Sequence, residues 1–205
     1  MIQFMIELLT HTDQYLQTLI ASCGNWTYLI LFLIVFCETG LVVTPFLPGD
    51  SLLFAAGAIS SVTGALDPVV LFILFFVAAV AGDSLNYEIG RTFRKRFNFP
   101  FVNEKRIQET ERFFDRHGGK TIVIARFMPV IRTFAPFVAG AAKLRYRYFL
   151  TYNLVGAFLW VCIVFGLGYF CGNMPWVQQN FNWLIWAIIL VSILPAVIAF
   201  LRKKS

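Results

Sequence analysis

The sequence predicts an all-α integral membrane protein of two inverted repeats, in which each repeat is a re-entrant helical hairpin followed by a transmembrane helix. Of the 205 residues, 59% are hydrophobic and only 14% are charged, whereas a soluble domain carries about a quarter charged residues. Two apolar stretches interrupted by Pro and Gly also resemble each other. An N-terminal interfacial helix and a C-terminal transmembrane helix complete a single membrane domain, which excludes a water-soluble enzyme or nucleic-acid-binding protein.

The distribution of basic residues predicts the orientation in the membrane. All seventeen Lys and Arg residues lie at or after Arg91, while the first ninety residues hold seven of the eleven acids. Because cytoplasmic loops are enriched in Lys and Arg, we place the N-terminus outside and the segment 91–147 inside. The basic C-terminal tail is then also inside.

The first elements are a surface helix and a broken apolar stretch. Residues 1–22 lack the positive n-region and cleavage site of a signal peptide, and we predict an amphipathic interfacial helix. The next apolar run, 27–37, has eleven residues, well short of the ~20 that a spanning helix needs. A break follows that contains Pro45, Pro48 and Gly49. Two short limbs around such a break predict a re-entrant hairpin over 27–66, which requires protein or water to cover the exposed backbone.

The remaining elements repeat this plan on the other side of the membrane. Residues 68–90 are predicted to span, and a charged amphipathic helix over 103–117 is placed on the cytoplasmic surface. A second broken stretch, residues 119–142, contains the predicted hairpin breaks Pro129 and Pro136 and has basic clusters on both flanks. It should therefore enter and leave on one side, as a second re-entrant hairpin. Spans over 148–172 and 183–201 bring the C-terminus inside, and this parity is unchanged if either hairpin spans fully.

Short motifs recur in the two halves. Phe46-Leu47-Pro48 matches Phe127-Met128-Pro129, Ala56-Gly57-Ala58 matches Ala139-Gly140-Ala141, and Tyr87 with Gly90 matches Tyr169 with Gly172. Because the halves have opposite orientations in the predicted topology, they would form an inverted repeat. Inverted repeats with interrupted helices indicate a transporter site near the bilayer midplane. The alternative is coincidence in membrane sequence of low complexity.

Four charged residues mark the two breaks: Glu38, Asp50, Arg126 and Arg132. A charge at the centre of a membrane helix costs roughly 2.5 to 3.5 kcal/mol, so we expect these four to meet as one neutral cluster. Because a guanidinium group binds phosphate bidentately, Arg126 and Arg132 are predicted to bind a phosphate head group. Glu38 and Asp50 are predicted to be proton-linked gates. The alternative is that all four only hold the hairpins together.

Two further acids lie on the first predicted span. Asp83 and Glu88 are five residues apart and so are not on one helix face. Asp83 is predicted to point inward as a secondary site, and Glu88 to pair with local arginines such as Arg91. Trp160, like most of the tryptophans, is predicted to be an interfacial or packing residue.

Several kinds of chemistry lack their sequence signals. The four cysteines have no metal-binding spacing, and His11 and His117 are far apart, so we expect no metal and no cofactor. No nucleophile and base occur at usable spacing, and we expect no catalytic residues and no enzyme. No phosphate-binding P-loop occurs, so a gradient rather than ATP would supply energy.

Several motifs, in order along nearly the whole chain, resemble the DedA family, also called the VTT-domain or SNARE-associated group. These motifs are Glu38-Thr39-Gly40, the stretch 45–53, Gly82-Asp83 to Tyr87, Gly90-Arg91, His117-Gly118-Gly119-Lys120, the stretch 126–133 and Gly168-Tyr169. The resemblance implies two opposed re-entrant hairpins and lipid translocation. The functional acids of the family match Glu38 and Asp50, and its functional arginines match Arg126 and Arg132.

The resemblance also implies the substrate class and the location. Some bacterial members recycle undecaprenyl phosphate from the outer to the inner leaflet, and others are tied to membrane homeostasis and the proton motive force. We therefore expect an inner-membrane transporter of this lipid, coupled to protons, with a periplasmic N-terminus and a cytoplasmic C-terminus. A less selective phospholipid scramblase, a proton-coupled carrier of small solutes and a structural assembly factor are the alternatives. No nucleic-acid partner is expected, and a homo-oligomer is left open.

Overall fold

The computed structural model describes residues 20–41, 49–96, 119–172 and 174. Most of the predicted interfacial helix 1–22, the cytoplasmic helix 103–117, the last span 183–201 and both Pro45 and Pro48 lie outside these residues. The described parts of the chain are helical and contain no strand. The prediction of an all-α protein is thus confirmed for them.

Six helices lie wholly within the described residues and are numbered in chain order; residues 20–23 are also helical. The six helices are α1 (Trp26–Gly40), α2 (Gly49–Thr63), α3 (Pro68–Arg96), α4 (Lys120–Arg126), α5 (Pro129–Ala141) and α6 (Tyr146–Cys171). We call α1 and α2 the first helix pair, and α4 and α5 the second helix pair. Each pair coincides with one of the two broken apolar stretches.

The two long helices, α3 and α6, form a scaffold with apolar outer faces. Each contains a stretch of 26 residues that, by length and composition, is long and apolar enough to cross a membrane. Large apolar side chains on both helices are exposed, such as Val69 and Ile73 on α3 and Phe158 and Leu167 on α6. Many exposed large apolar side chains are typical of a face that contacts lipid or another protein.

Capping interactions fix where α3 begins. The Oδ1 of Asp67 accepts hydrogen bonds from the backbone N–H groups of Val69 and Val70 at 2.8 and 3.0 Å. Pro68 occupies the first helical position, where its missing N–H has no cost. The hydroxyl of Tyr28 on α1 accepts a bond from the N–H of Asp67 at 2.8 Å, so that the start of α3 is tied to the first helix pair.

The second helix pair has a single break, at Phe127 and Met128, and Pro129 is the first residue of α5. The prediction that Pro136 also breaks the chain is wrong, because α5 continues through it. A proline inside a helix removes one backbone hydrogen bond, and neighbouring helices can satisfy the freed groups in a membrane protein. The Nδ2 of Asn86 on α3 donates to the carbonyl of Thr133 at 2.7 Å, one residue after the Arg132 carbonyl that loses its helical partner to Pro136.

Each helix pair packs its second helix against the long helix of the other half, so α2 contacts α6 and α5 contacts α3. Glycines form both crossings. A Cβ on Gly168 would overlap the backbone of Phe54, and a Cβ on Gly90 would overlap the backbone of Phe137. Small residues at such crossings let two helix backbones touch.

The partner glycines of the two crossings also occupy matching positions. A Cβ on Gly57 would contact the backbone of Phe165 and Tyr169, and a Cβ on Gly140 would contact the backbone of Tyr87 and Arg91. Phe165 and Tyr87 lie three residues before Gly168 and Gly90 respectively. Gly168, rather than the Gly172 indicated by the sequence match, therefore makes the contact equivalent to that of Gly90.

Candidate ion-pair site between the helix pairs

Arg132 joins the two acids of the first helix pair. It lies in the first turn of α5, and its Nη1 donates to Oδ1 of Asp50 at 2.7 Å while its Nη2 pairs with Oε1 of Glu38. Glu38 lies near the end of α1 and Asp50 in the first turn of α2. The Glu38 side chain is only 1% exposed and that of Arg132 only 10%. One guanidinium group of the second pair therefore connects both helices of the first pair.

The backbone at Gly49 completes the surroundings of Glu38. Gly49 is the first residue of α2, and a Cβ at this position would overlap the carboxylate of Glu38. Any larger residue would therefore displace either the carboxylate or the start of α2. Gly49 was predicted as part of a break, and the structure gives it this second role of leaving space for the acid.

Arg126 makes a separate ion pair with the scaffold helices. Its guanidinium group pairs with Asp83 of α3, and its Nη2 donates to Oδ1 of Asn153 on α6 at 2.7 Å. Arg126 is 6% exposed and Asp83 is 5% exposed. The Nη1 of Arg126 is buried and has no hydrogen-bond partner among the described residues.

The expected cluster of four charges is therefore divided. Arg132 meets Glu38 and Asp50, whereas Arg126 meets Asp83, which was predicted only as a secondary candidate. The reason is that Arg126 is the last residue of α4, a helix that packs against α6 rather than against the first helix pair. Within the described part of the chain, three carboxyl groups thus face two guanidinium groups, which leaves one negative charge in excess when all five groups are ionised.

Trp160 of α6 connects the two ion pairs. Its Nε1 donates to Oδ1 of Asp50 at 2.9 Å. The Cζ atoms of Arg132 and Arg126 lie 5.2 and 6.0 Å from its ring centroid, within the range of cation–π attraction. Trp160 is 3% exposed, so the prediction of a simple packing residue missed its polar role. No pattern in the sequence distinguishes it from the other tryptophans.

Two buried asparagines were also missed. Asn86, on α3, donates from Nδ2 to the carbonyls of Thr39 and Thr133 at 3.2 and 2.7 Å. Asn153 donates to the carbonyl of Val80 at 3.3 Å in addition to accepting from Arg126. Both asparagines are fully buried. The signal that could have found them is an amide side chain within a long apolar span, because such groups face protein partners rather than lipid.

Glu88 behaves as predicted. Its Oε1 lies 3.2 Å from Nη1 of Arg91, and the two side chains are 49% and 46% exposed. An exposed pair of this kind contributes little to stability. Glu88 is therefore a surface partner of a local arginine and lies apart from the buried site.

Buried ion pairs among apolar helices, two of which are long enough to cross a membrane, define an integral membrane protein with an internal ionic site. Intramembrane ionisable groups of this kind mark substrate or proton pathways. The VTT domain model matches residues 47–170, which is more than half of the chain. The protein belongs to the DedA family of VTT-domain membrane proteins.

The relatives extend over most of the sequence. The chain is 50% identical to protein DedA of Escherichia coli strain K12 over 209 residues, covering 100% of this chain and 95% of the relative. It is 43% identical to an uncharacterized membrane protein of Mycobacterium leprae, covering 81% of this chain and 76% of the relative. It is 34% identical to inner membrane protein YghB of Escherichia coli K12, covering 75% and 71%. No solved structure matches the chain.

Proposed function

We propose that this protein is an inner-membrane lipid transporter that moves undecaprenyl phosphate from the outer to the inner leaflet, coupled to the proton motive force. The observation that carries the proposal is the contact of Arg132 with both Glu38 and Asp50. This contact joins the two helix pairs through an ion pair. Protons can neutralise its carboxylates, and a phosphate group can take their place on the guanidinium group. Membrane homeostasis, the general role implied by the family, follows from lipid transport of this kind.

The proposed fold consists of two re-entrant hairpins in an inverted repeat. The helices of the first pair have 15 residues each, or about 22 Å, which is less than the ~30 Å hydrocarbon core. The 26 residues of α6 correspond to about 39 Å, enough to span. The matching glycine contacts at Gly168 and Gly90 support a two-fold relation between the halves.

The proposed binding chemistry assigns different tasks to the two kinds of charge. Arg126 and Arg132 bind the phosphate group, because a guanidinium group can donate two parallel hydrogen bonds to it. A phosphate monoester carries about −1.5 to −2 charges near pH 7, and it cannot enter beside ionised carboxylates without a large repulsion. Protonation of Glu38 and Asp50 releases Arg132 to face the phosphate, whereas Arg126 must still leave Asp83 before it can bind the same group.

The proposed location is the bacterial inner membrane, with the N-terminus in the periplasm and the C-terminus in the cytoplasm. One relative is named an inner membrane protein, and all Lys and Arg residues lie at or after Arg91, which supports this orientation under the positive-inside rule. The isoprenoid tail would remain in lipid while the head group moves along the hairpins.

Purified protein in liposomes tests the proposal. Leaflet exchange of undecaprenyl phosphate and of phosphatidylethanolamine is measured with and without a pH gradient. We expect faster exchange of the phosphate-headed lipid and an increase in its rate with the gradient. Equal rates for both lipids would identify an unselective scramblase instead, and no exchange of either lipid would favour a carrier of small solutes or a structural factor.

A further inference from the structure

The two buried arginines have different partners. Arg132 is held by two carboxylates of the first helix pair, whereas Arg126 is held by one carboxylate, from Asp83, and one amide, from Asn153. Releasing Arg126 therefore leaves one carboxylate without its arginine, whereas releasing Arg132 leaves two. An incoming anion meets less competition at Arg126.

Arg126 also has unused binding capacity. Its Nη1 is buried and has no hydrogen-bond partner within residues 20–41, 49–96 and 119–172. A buried donor left without an acceptor costs free energy, and an anionic ligand would supply the missing acceptor. The site therefore contains a donor that its protein partners do not satisfy.

Exposed apolar side chains flank the buried Arg126 along the chain. Ile124 and Phe127, two residues before it and one after it, are 63% and 43% exposed. The apolar tail of a lipid bound at Arg126 could therefore rest against these two exposed side chains. A phosphate on a lipid and a free phosphate ion present the same oxygen atoms to this group.

We propose that Asp83 is the resident anion of a phosphate site on Arg126, and that the phosphate group of the substrate displaces the Asp83 carboxylate during binding. This inference rests on the proposed function and refines it. Carboxylate and phosphate oxygens accept from the same guanidinium fork. Asp83 is then an internal competitor that keeps the site paired when it is empty and weakens the hold on the substrate, which favours its release.

The remaining charged groups define the surroundings of Asp83. Glu38 on α1, Asp50 on α2 and Arg132 on α5 form the neighbouring ion pair, joined through Trp160. The facing helix α6 contributes Asn153 and Trp160, neither of which titrates. Arg126 is thus the positive partner of Asp83, and the loss of their contact leaves Arg126 available to the phosphate.

Dissociation constants of the full-length protein in detergent test the inference, with farnesyl phosphate as the probe. Asp83→Asn keeps an acceptor but removes the competing charge, and we expect binding about tenfold tighter than in the wild type. Glu88→Gln is the matched control, since it makes the same chemical change in an exposed ion pair of the same helix. It should bind like the wild type.

Asn153→Asp gives a second test that keeps Asp83 and keeps an acceptor for Arg126 at position 153. It adds a second carboxylate beside the guanidinium, and we expect binding about tenfold weaker. If Asp83→Asn does not fold, this variant tests whether a carboxylate beside Arg126 competes with the phosphate. Unchanged affinity in a folded Asp83→Asn or Asn153→Asp protein would overturn the assignment of Asp83.

Two more probes identify the ligand group. Inorganic phosphate and farnesol carry the head group and the tail separately. An effect of Asp83→Asn on both phosphate compounds supports displacement by the phosphate group, whereas the same effect on farnesol contradicts it. If the wild type binds farnesyl phosphate and the variants do not differ from it, only the role of Asp83 fails. If the folded wild type binds neither phosphate compound, the proposed function itself fails.

Discussion

The indole nitrogen of Trp160 lies 2.9 Å from Oδ1 of Asp50, the same oxygen that accepts from Arg132 at 2.7 Å. This shared acceptor couples the scaffold helix α6 to the contact between the two helix pairs. If α2 moves relative to both α5 and α6, Asp50 has to leave Trp160 as well as Arg132. Trp160 therefore helps to hold the site in the state seen here.

Trp160→Phe should change the proton dependence of transport. The substitution keeps an aromatic ring beside the two arginines but removes the hydrogen bond to Asp50, so the Asp50 carboxylate loses a donor. We expect the rate of lipid exchange to depend differently on the pH gradient. At a given gradient, the rate should differ from that of the wild type by about tenfold. Trp26→Phe is the control, because Trp26 is 69% exposed. An unchanged pH profile in proteoliposomes would show that Trp160 only packs.

Arg132→Lys should abolish most transport even though the charge is kept. An ammonium group cannot reproduce the two separate contacts of the guanidinium with Glu38 and Asp50, or a bidentate contact with phosphate. We expect a loss of at least about a hundredfold in the exchange rate, and near-normal exchange for Arg91→Lys, whose pair is exposed. Wild-type transport by Arg132→Lys would refute bidentate phosphate binding at this residue.

The double variant Glu38→Gln with Asp50→Asn tests the proton coupling. Both substitutions keep the shape of the side chains and remove the groups that would carry protons. We expect lipid exchange that no longer responds to a pH gradient, measured in the same liposomes as for the wild type. Transport that remained intact and still followed the gradient would exclude these two acids as the coupling groups.

Gly168→Ala should destabilise the fold, because a Cβ there would overlap the backbone of Phe54 on α2. Overpacking of this kind typically costs about 1 to 3 kcal/mol, and we expect a lower midpoint of thermal unfolding in detergent. Gly166→Ala, two residues earlier on the same helix, is the control, since a Cβ there meets nothing within 4 Å. Equal midpoints for the two variants would contradict the close contact of α2 with α6.

The sequence alone predicted the all-α fold, the two long apolar helices and the broken stretches, because these depend on local composition. Hydrophobic runs, Pro and Gly act within a few residues, and a charge in an apolar stretch is conspicuous wherever it occurs. Glu38, Asp50, Arg126 and Arg132 could therefore be singled out from the sequence. So could the exposed pair of Glu88 with Arg91, since its members lie three residues apart.

Only the tertiary structure decided which charges meet. Arg132 is 94 residues from Glu38 and Arg126 is 27 residues from Asn153, and the chain between them does not specify the pairing. The pairing depends on which helices cross, and glycine contacts such as that of Gly168 with Phe54 set those crossings. For the same reason Trp160 gained its polar role and Asp83 became the partner of Arg126. A helix crossing is a property of two surfaces at once, and neither surface is visible in a single stretch of sequence.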